Sequence, residues 1–357
     1  MDKIINQDMI KIARESRGLS QKELAELVSV SQGKISKIES GLLGVSEDLL
    51  KKLSEKLDYP ESFFSFDDKI FGYGISGIGI LYHRKRQNLA NQVIDQIHAQ
   101  INIRRMHLIR LLQAVEIKNN LFRPLDIDDH DGKVEDIARN VRASWLLPNG
   151  PVKNLTKAIE DAGGIVVEFD FGTKKVDAIS QWIPGLPPLF FTNTNAPGDR
   201  LRFSLAHELG HIIMHRLSTP NMEEEADKFA GEFLIPRHEI SSSLNFVTLQ
   251  KLANLKPYWK VSMAALLYRA SDLNKVTKRQ YQYLWMQMGK AGYRMSEPPE
   301  LDIHRERPTL LQELISTYRN KLNYSLSDMS KLLGLNEHEI KLTYYGEQKN
   351  SHLTLVK

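Results

Sequence analysis

The chain has 357 residues, 41% of them hydrophobic and 26% charged, which is ordinary for a globular protein and long enough for two or three domains. It contains no cysteine, so disulfides are excluded and any zinc must be held by histidine and carboxylate. The opening Met1-Asp2-Lys3 has no apolar signal region, no run of about 18 apolar residues occurs, and the net charge is only +4; a cytoplasmic protein without membrane contact is expected, and the charge alone implies nothing about nucleic acid.

Residues 1–62 read as a compact all-helical unit. Met9, Ile10, Ile12 and Ala13 begin a helix that stops near Gly18. Ser20 with Glu23 forms a capping box for a second helix that turns Leu24, Ala25 and Val28 inward. After the tight turn Ser29-Val30-Ser31, Ser31 caps a third helix that buries Ile35 and Ile38 and shows Gln32, Lys34 and Lys37 outward. Ser46 caps a fourth, with Leu49, Leu50, Leu53 and Leu57. Two short helices, a tight turn and a polar second helix make a helix-turn-helix. In that reading Gln32 and Lys34 reach base edges in the major groove, Lys37 a phosphate, and the helix N-termini at Gln21 and Gln32 donate backbone N–H groups to phosphates. Ten basic and ten acidic residues over positions 1–60 would equally suit a plain helical bundle. The runs Leu19-Ser20-Gln21-Lys22-Glu23-Leu24-Ala25 and Ser31-Gln32-Gly33-Lys34-Ile35-Ser36-Lys37-Ile38-Glu39-Ser40-Gly41, however, closely resemble the Xre/Cro phage-repressor family. That resemblance implies binding to a double-stranded DNA operator and, since palindromic half-sites match two-fold symmetry, a homodimer.

Residues 63–124 read as a linker and a long helix. Phe63, Phe64, Phe66, Phe71 and Tyr73 among glycines make 63–83 too aromatic for a free coil. Over 87–118 Ile94, Ile97, Ile101, Leu108, Leu112 and Val115 form one apolar stripe. Eight basic against two acidic residues over 82–124 raise DNA-flank contact by Arg84-Lys85-Arg86 and Arg104-Arg105; a helix packing two domains or subunits, with solvated arginines, is the preferred reading.

Residues 125–240 hold the chemistry. Helices are expected over 134–146 and 155–162, and strands over 165–169, 179–183 and 188–192, the last being the expected docking strand for an extended peptide. Arg200 and Arg202 read as salt-bridge partners ahead of substrate contacts. His207-Glu208-Leu209-Gly210-His211 is a His-Glu-x-x-His motif; on a helix, two histidines four apart can point both imidazoles at one metal ion, with Glu208 placed to take a proton from a metal-bound water. Gly210 leaves room for close approach of another segment. The stretch 223–236 is acidic, with Ala226, Phe229, Ala230, Phe233 and Leu234 at helical spacing and Pro236 ending the run. Glu225, four before Phe229, is the expected third metal ligand, with Glu223 and Glu224 in a solvated first turn. Asp227 is a candidate partner for a ligand histidine, and His215 reads as a transition-state donor or helix-end residue rather than a ligand.

His207-Glu208-Leu209-Gly210-His211 followed by Glu225-Ala226-Asp227-Lys228-Phe229-Ala230 resembles the ImmA/IrrE family of bacterial zinc metallopeptidases, over roughly residues 135–240. The resemblance implies a gluzincin-like zinc site with Glu225 as third ligand and cleavage of a regulatory protein, a repressor or antitoxin. A non-hydrolytic sensor or interaction module on the same fold is the alternative.

Residues 241–357 read as a helical C-terminal region. Leu249, Leu252, Leu255 and Trp259 mark one helix; Met263, Leu266, Leu267 and Ala270, capped by Ser262, mark another. Nine basic residues against one acidic over 251–294 suggest a strip for phosphate or an acidic partner. A hairpin over 325–344 mimics a helix-turn-helix but is acidic, and reads as a packing module. The expected fold class is thus multidomain and mainly α with a small β-sheet: an all-α helix-turn-helix, a central α+β zincin-like domain and a helical C-terminal region.

Overall fold

The computed structural model describes residues 5–71, 89–217, 219–294 and 296–346. They form mostly helices with one small sheet, in two compact units. Among the described residues no helix is long and apolar enough to cross a membrane.

The first unit contains residues 5–71, 89–116 and 310–346. Its N-terminal helices are α1 (Gln7–Ser16), α2 (Gln21–Leu27), α3 (Gln32–Glu39) and α4 (Glu47–Leu57). Serine hydroxyls cap three of them: Ser20, in a reciprocal box with Glu23, Ser31 and Ser46. Leu24, Ala25, Val28, Ile35 and Ile38 share one core with Met9, Ile10, Leu53 and Leu57. Arg14 staples α1 to α3: its Nε donates to Glu39 Oε1 at 2.6 Å and its NH1 to the Leu19 carbonyl at 2.7 Å. Burial opposes its charge, but the Glu39 hydrogen bond and charge outweigh burial and raise its pKa.

A 21-residue helix, α5 (Asn91–Leu111), packs on α1. Here the expectation of solvated arginines fails. Arg105 is fully buried; its guanidinium lies 4.3 Å from the Phe71 ring centre and donates to the Lys69 carbonyl at 3.2 Å. Arg84, Lys85 and Arg86 lie outside the described residues, as does most of the aromatic–glycine stretch; the described part, 63–71, begins in the 3-10 helix Glu61–Ser65, where Phe63 and Phe64 are buried.

The C-terminal hairpin, Leu326–Leu333 and Glu337–Tyr344, packs in this same unit. Glu339 receives both NH1 and NH2 of Arg17, at 2.9 and 2.8 Å, and Asn336 donates to Asp58 at 2.7 Å. Glu339 is therefore consumed in packing, while Glu337 stays exposed.

The second unit runs through residues 117–309, so 241–309 build on the chemistry-bearing region and 310–346 do not. A three-stranded sheet, β1 (Ile165–Phe169), β2 (Ala178–Gln181) and β3 (Leu189–Asn193), has the order β1-β3-β2, with β1 parallel and β2 antiparallel to β3. β3 is thus central and buried, its two edges already paired, which removes it as a docking strand for peptide. α6 (Val134–Ser144), α7 (Leu155–Asp161), α8 (Gly198–Met214) and α9 (Met222–Leu234) join one core with Leu252, Trp259, Met263, Leu266 and Leu284. Two of the nine basic residues of the strip are spent inside the unit. Lys256 is buried between Asp199 at 2.5 Å and Glu297 at 2.7 Å, and Arg269 is buried against Glu232 and Asp272. Arg200 meets Asp177 at 2.8 Å and Arg202 meets Glu306, as salt bridges.

Two buried histidines of α5 make the first unit acid-sensitive. Burial lowers His98 to about 4 and His107 to about 3, from 6.5. Because the folded values lie below the unfolded one, their neutral forms favour folding above pH 6.5, and that contribution is lost as pH falls below it. Each histidine withdraws up to about 1.4 kcal/mol per pH unit. Hydrogen-exchange protection factors of the Asn91–Leu111 amides, taken relative to the intrinsic rate at each pH, should fall on acidification from pH 6.5 towards 4, and His107→Phe should flatten that dependence. An unchanged slope in the variant would refute the account.

Candidate metal centre

α8 carries the His-Glu-x-x-His motif in its second half, anchored by Leu205, Leu209 and Ile213 in the core. His207 and His211 share a face, and their Nε2 atoms lie 3.0 Å apart. α9 crosses α8 at Gly210: a Cβ built there would sit 3.2 Å from Cβ of Phe229. This close approach brings the first turn of α9 to the histidines.

The carboxylate that reaches the pair is Glu223, not Glu225. Glu223 lies 3.7 Å from His207 Nε2 and 3.5 Å from His211 Nε2. One donor atom from each of His207, His211 and Glu223 fall within 4.8 Å of one another, a possible metal site. Glu225 instead meets His215 Nε2 at 3.0 Å, and Glu224 is exposed, paired with Lys228 at 2.8 Å. The reason is helical phase. At about 100° per residue, Glu223 and Asp227 flank the buried Ala226–Ala230 ridge on one side, and Glu225 and Phe229 on the other. Sharing a face with a buried aromatic residue picked the wrong flank. The signal that finds Glu223 is Asp227, four residues on and one turn away.

Asp227 Oδ1 lies 2.7 Å from His207 Nδ1. A carboxylate only accepts, so this bond places the proton of neutral His207 on Nδ1 and leaves the Nε2 lone pair facing the cluster. Burial opposes protonation of His207, but the Asp227 hydrogen bond and the charges of Glu208, Asp227 and Glu223 outweigh it and raise its pKa. For His211 burial wins, holding it down at about 4, so it is neutral at pH 7. His215 is likewise lowered, by burial first.

Glu208 is buried, and Ser180 Oγ of β2 donates to its Oε2 at 2.8 Å. Ser180 went unremarked in the sequence because it is one hydroxyl inside an apolar strand. Two imidazoles whose Nε2 atoms face each other and one carboxylate, with the charge of Glu208 acting on His207, are a donor set that suits zinc in a chain without thiols.

In the other unit, Gln32 and Lys37 of α3 are exposed and Lys34 is half-buried. Gln21 Nε2 donates to Glu39 Oε2 at 2.9 Å, so its side chain is engaged within the protein. A Cβ added at Gly33 would meet nothing within 4 Å, leaving the start of α3 open to close approach.

Residues 159–271 match the family model of the IrrE N-terminal-like domain, a peptidase family, and residues 10–64 match that of the helix-turn-helix. No curated protein matches the chain. The protein therefore joins a DNA-binding helix-turn-helix domain to a metallopeptidase-type domain. The peptidase match runs past residue 240 into the helix Met263–Asp272, in keeping with the shared core.

With Glu223 as the carboxylate of the cluster, Glu223→Ala should lower zinc affinity by more than the roughly 10- to 100-fold typical of losing an outer partner. Chelator-competition titration measures it, and retention of wild-type affinity would exclude Glu223.

Proposed function

We propose that this chain is a DNA-binding transcriptional regulator whose second domain is a zinc-dependent endopeptidase acting on a regulatory protein, a repressor or antitoxin. The observation that carries the reading is the convergence of His207, His211 and Glu223, with Glu208 locked beside them by Ser180.

His207, His211 and Glu223 would hold the cation, leaving a fourth position open. Zinc, when bound, lowers the pKa of water towards 7 and polarises a scissile carbonyl. The protein's part is proton handling and orientation. Glu208 accepts the proton of the attacking water and returns it to the leaving amine. The Ser180 hydroxyl fixes the rotation of that carboxylate, and Asp227 fixes the ring of His207. The buried Leu205, Leu209 and Ile213 face holds α8 against rotation.

On the DNA side, α3 would enter the major groove with Gln32 and Lys34 towards base edges and Lys37 towards a phosphate, while the amides at the start of α2, by Gln21, meet the backbone. Two chains on a palindromic site would suit this geometry.

Glu208→Gln should retain zinc while hydrolysis falls by about 10²- to 10⁴-fold. If cells carrying that variant regulate as the wild type does, the second domain acts as a sensor or interaction module and the endopeptidase reading is lost. DNA binding is best tested in the full chain, because α1 to α4 share their core with α5 and the C-terminal hairpin. On a DNA fragment selected by the wild-type protein from a random pool, Lys37→Ala should weaken binding across sequences and reduce the salt slope by about 1; Gln32→Ala should relax preference at one base position, costing about 1–3 kcal/mol. Band shifts at several salt concentrations measure both, and unchanged binding in both variants would remove α3 from the interface.

A further inference from the structure

The side chain expected as third ligand has another role. His215 follows α8 directly, and its side chain is almost completely buried, at 2% exposure. Its ring lies between two partners: Nδ1 is 2.9 Å from His211 Nδ1, and Nε2 is 3.0 Å from Glu225 Oε2. These contacts form a line from Glu225 through His215 to His211, whose other nitrogen faces His207 and Glu223.

Proton accounting along this line has one consistent solution for neutral rings. The Glu225 carboxylate can only accept, so His215 carries its proton on Nε2. His215 Nδ1 is then a lone pair and must accept from His211, which therefore carries its proton on Nδ1. That leaves His211 Nε2 as a lone pair aimed at the cluster. In the reversed arrangement, with His215 donating from Nδ1, the His211 proton would sit on Nε2, where it blocks ligation. His207 reaches the same state by a direct bond to Asp227. The two histidines of the motif are thus set by two acids of α9, one at first hand and one through an intervening imidazole.

We propose that Glu225 and His215 are positioning residues: a relay that fixes His211 in the tautomer able to bind a cation through Nε2. The proposal rests on the reading of His207, His211 and Glu223 as a metal site. It assigns Glu225 no contact with the metal and His215 no contact with substrate.

The test uses the full-length protein and Glu225→Gln, which keeps shape but can donate as well as accept. Histidine ¹⁵N–¹H long-range NMR spectra of the metal-free protein report the tautomers directly, and zinc titration against a fluorescent chelator reports affinity. In the wild type, His215 should be protonated on Nε2 and His211 on Nδ1. In Glu225→Gln both rings should become tautomeric mixtures, with zinc affinity reduced about 10- to 100-fold, less than the loss in Glu223→Ala. His215→Gln, which puts an amide able to donate or accept at the same place, should also mix the His211 tautomers. A wild-type His211 protonated on Nε2 would overturn the proposal, as would a Glu225→Gln protein whose tautomers and zinc affinity match the wild type. A loss of affinity in Glu225→Gln as large as in Glu223→Ala, with His211 unchanged, would make Glu225 a direct ligand instead. A wild-type chain with these tautomers but no zinc binding would overturn the metal reading itself and leave the relay without its purpose.

Discussion

The contact between Gly210 and Phe229 sets the distance between a helix of histidines and a helix of acids, and the candidate metal cluster depends on that distance. A Cβ at 210 would sit 3.2 Å from the Cβ of Phe229, so a side chain there would push the two helices apart by a few tenths of an ångström. With the two backbones this close, the alternating acids Glu223, Glu225 and Asp227 each meet a histidine of the facing segment. The apolar layer beneath keeps the approach rigid: Phe229 stacks on Phe233 at 5.6 Å, and Trp145 meets Phe233 edge-on at 6.0 Å. Residues 249–290 matter to the site for the same reason. They contribute no donor to the cluster, yet Trp259, Met263, Leu266 and Leu284 complete the core on which α9 rests.

The first unit has a different organisation, in which charge does much of the joining. Arg14 to Glu39 ties the first helix to the third, and Arg17 to Glu339 ties the first helix to the C-terminal hairpin. Arg17 also lies over the Tyr59 ring, 4.4 Å from its centre. Such pairs are partly desolvated, so removing one partner leaves an uncompensated charge. Two of the ten basic residues over 1–60, Arg14 and Arg17, are committed in this way, while Gln32 and Lys37 of α3 stay exposed.

What was legible in the sequence is what depends on near neighbours in the chain. Capping serines at 20, 31 and 46, the inward stripes of α2 and α3, the histidine spacing and the end of α9 at Pro236 all involve residues within about one turn of each other. The readings that failed needed knowledge of a partner far along the chain. Arg105 looked solvated because Phe71 and Lys69 are distant in sequence. β3 looked like a rim because its two neighbours arrive from either side of it. The choice between Glu223 and Glu225 turned on the rotation of α9 about its own axis, which local periodicity leaves open by about one residue.

That rotation is determined at the far end of the helix. Glu232 lies nine residues after Glu223, about half a turn out of phase with it at 100° per residue, and seven after Glu225, whose flank it shares two turns further along. It is completely buried, receiving Arg139 NH1 at 3.0 Å, Arg269 NH2, and the Arg237 amide at 3.2 Å. Two carbonyls at the same end are taken by buried guanidiniums: Phe233 O by Arg142 at 2.7 Å, and Ile235 O by Arg269 at 3.1 Å. These bonds satisfy groups that every helix C-terminus leaves open, and they place positive charge where the helix dipole favours it. A turn of α9 by one residue would pull Glu232 out of this clamp and leave a buried carboxylate unpaired, at a cost of about 3–5 kcal/mol. The groups that hold Glu223 in phase therefore include ones more than two turns along α9 from it, in residues that touch neither His207 nor His211.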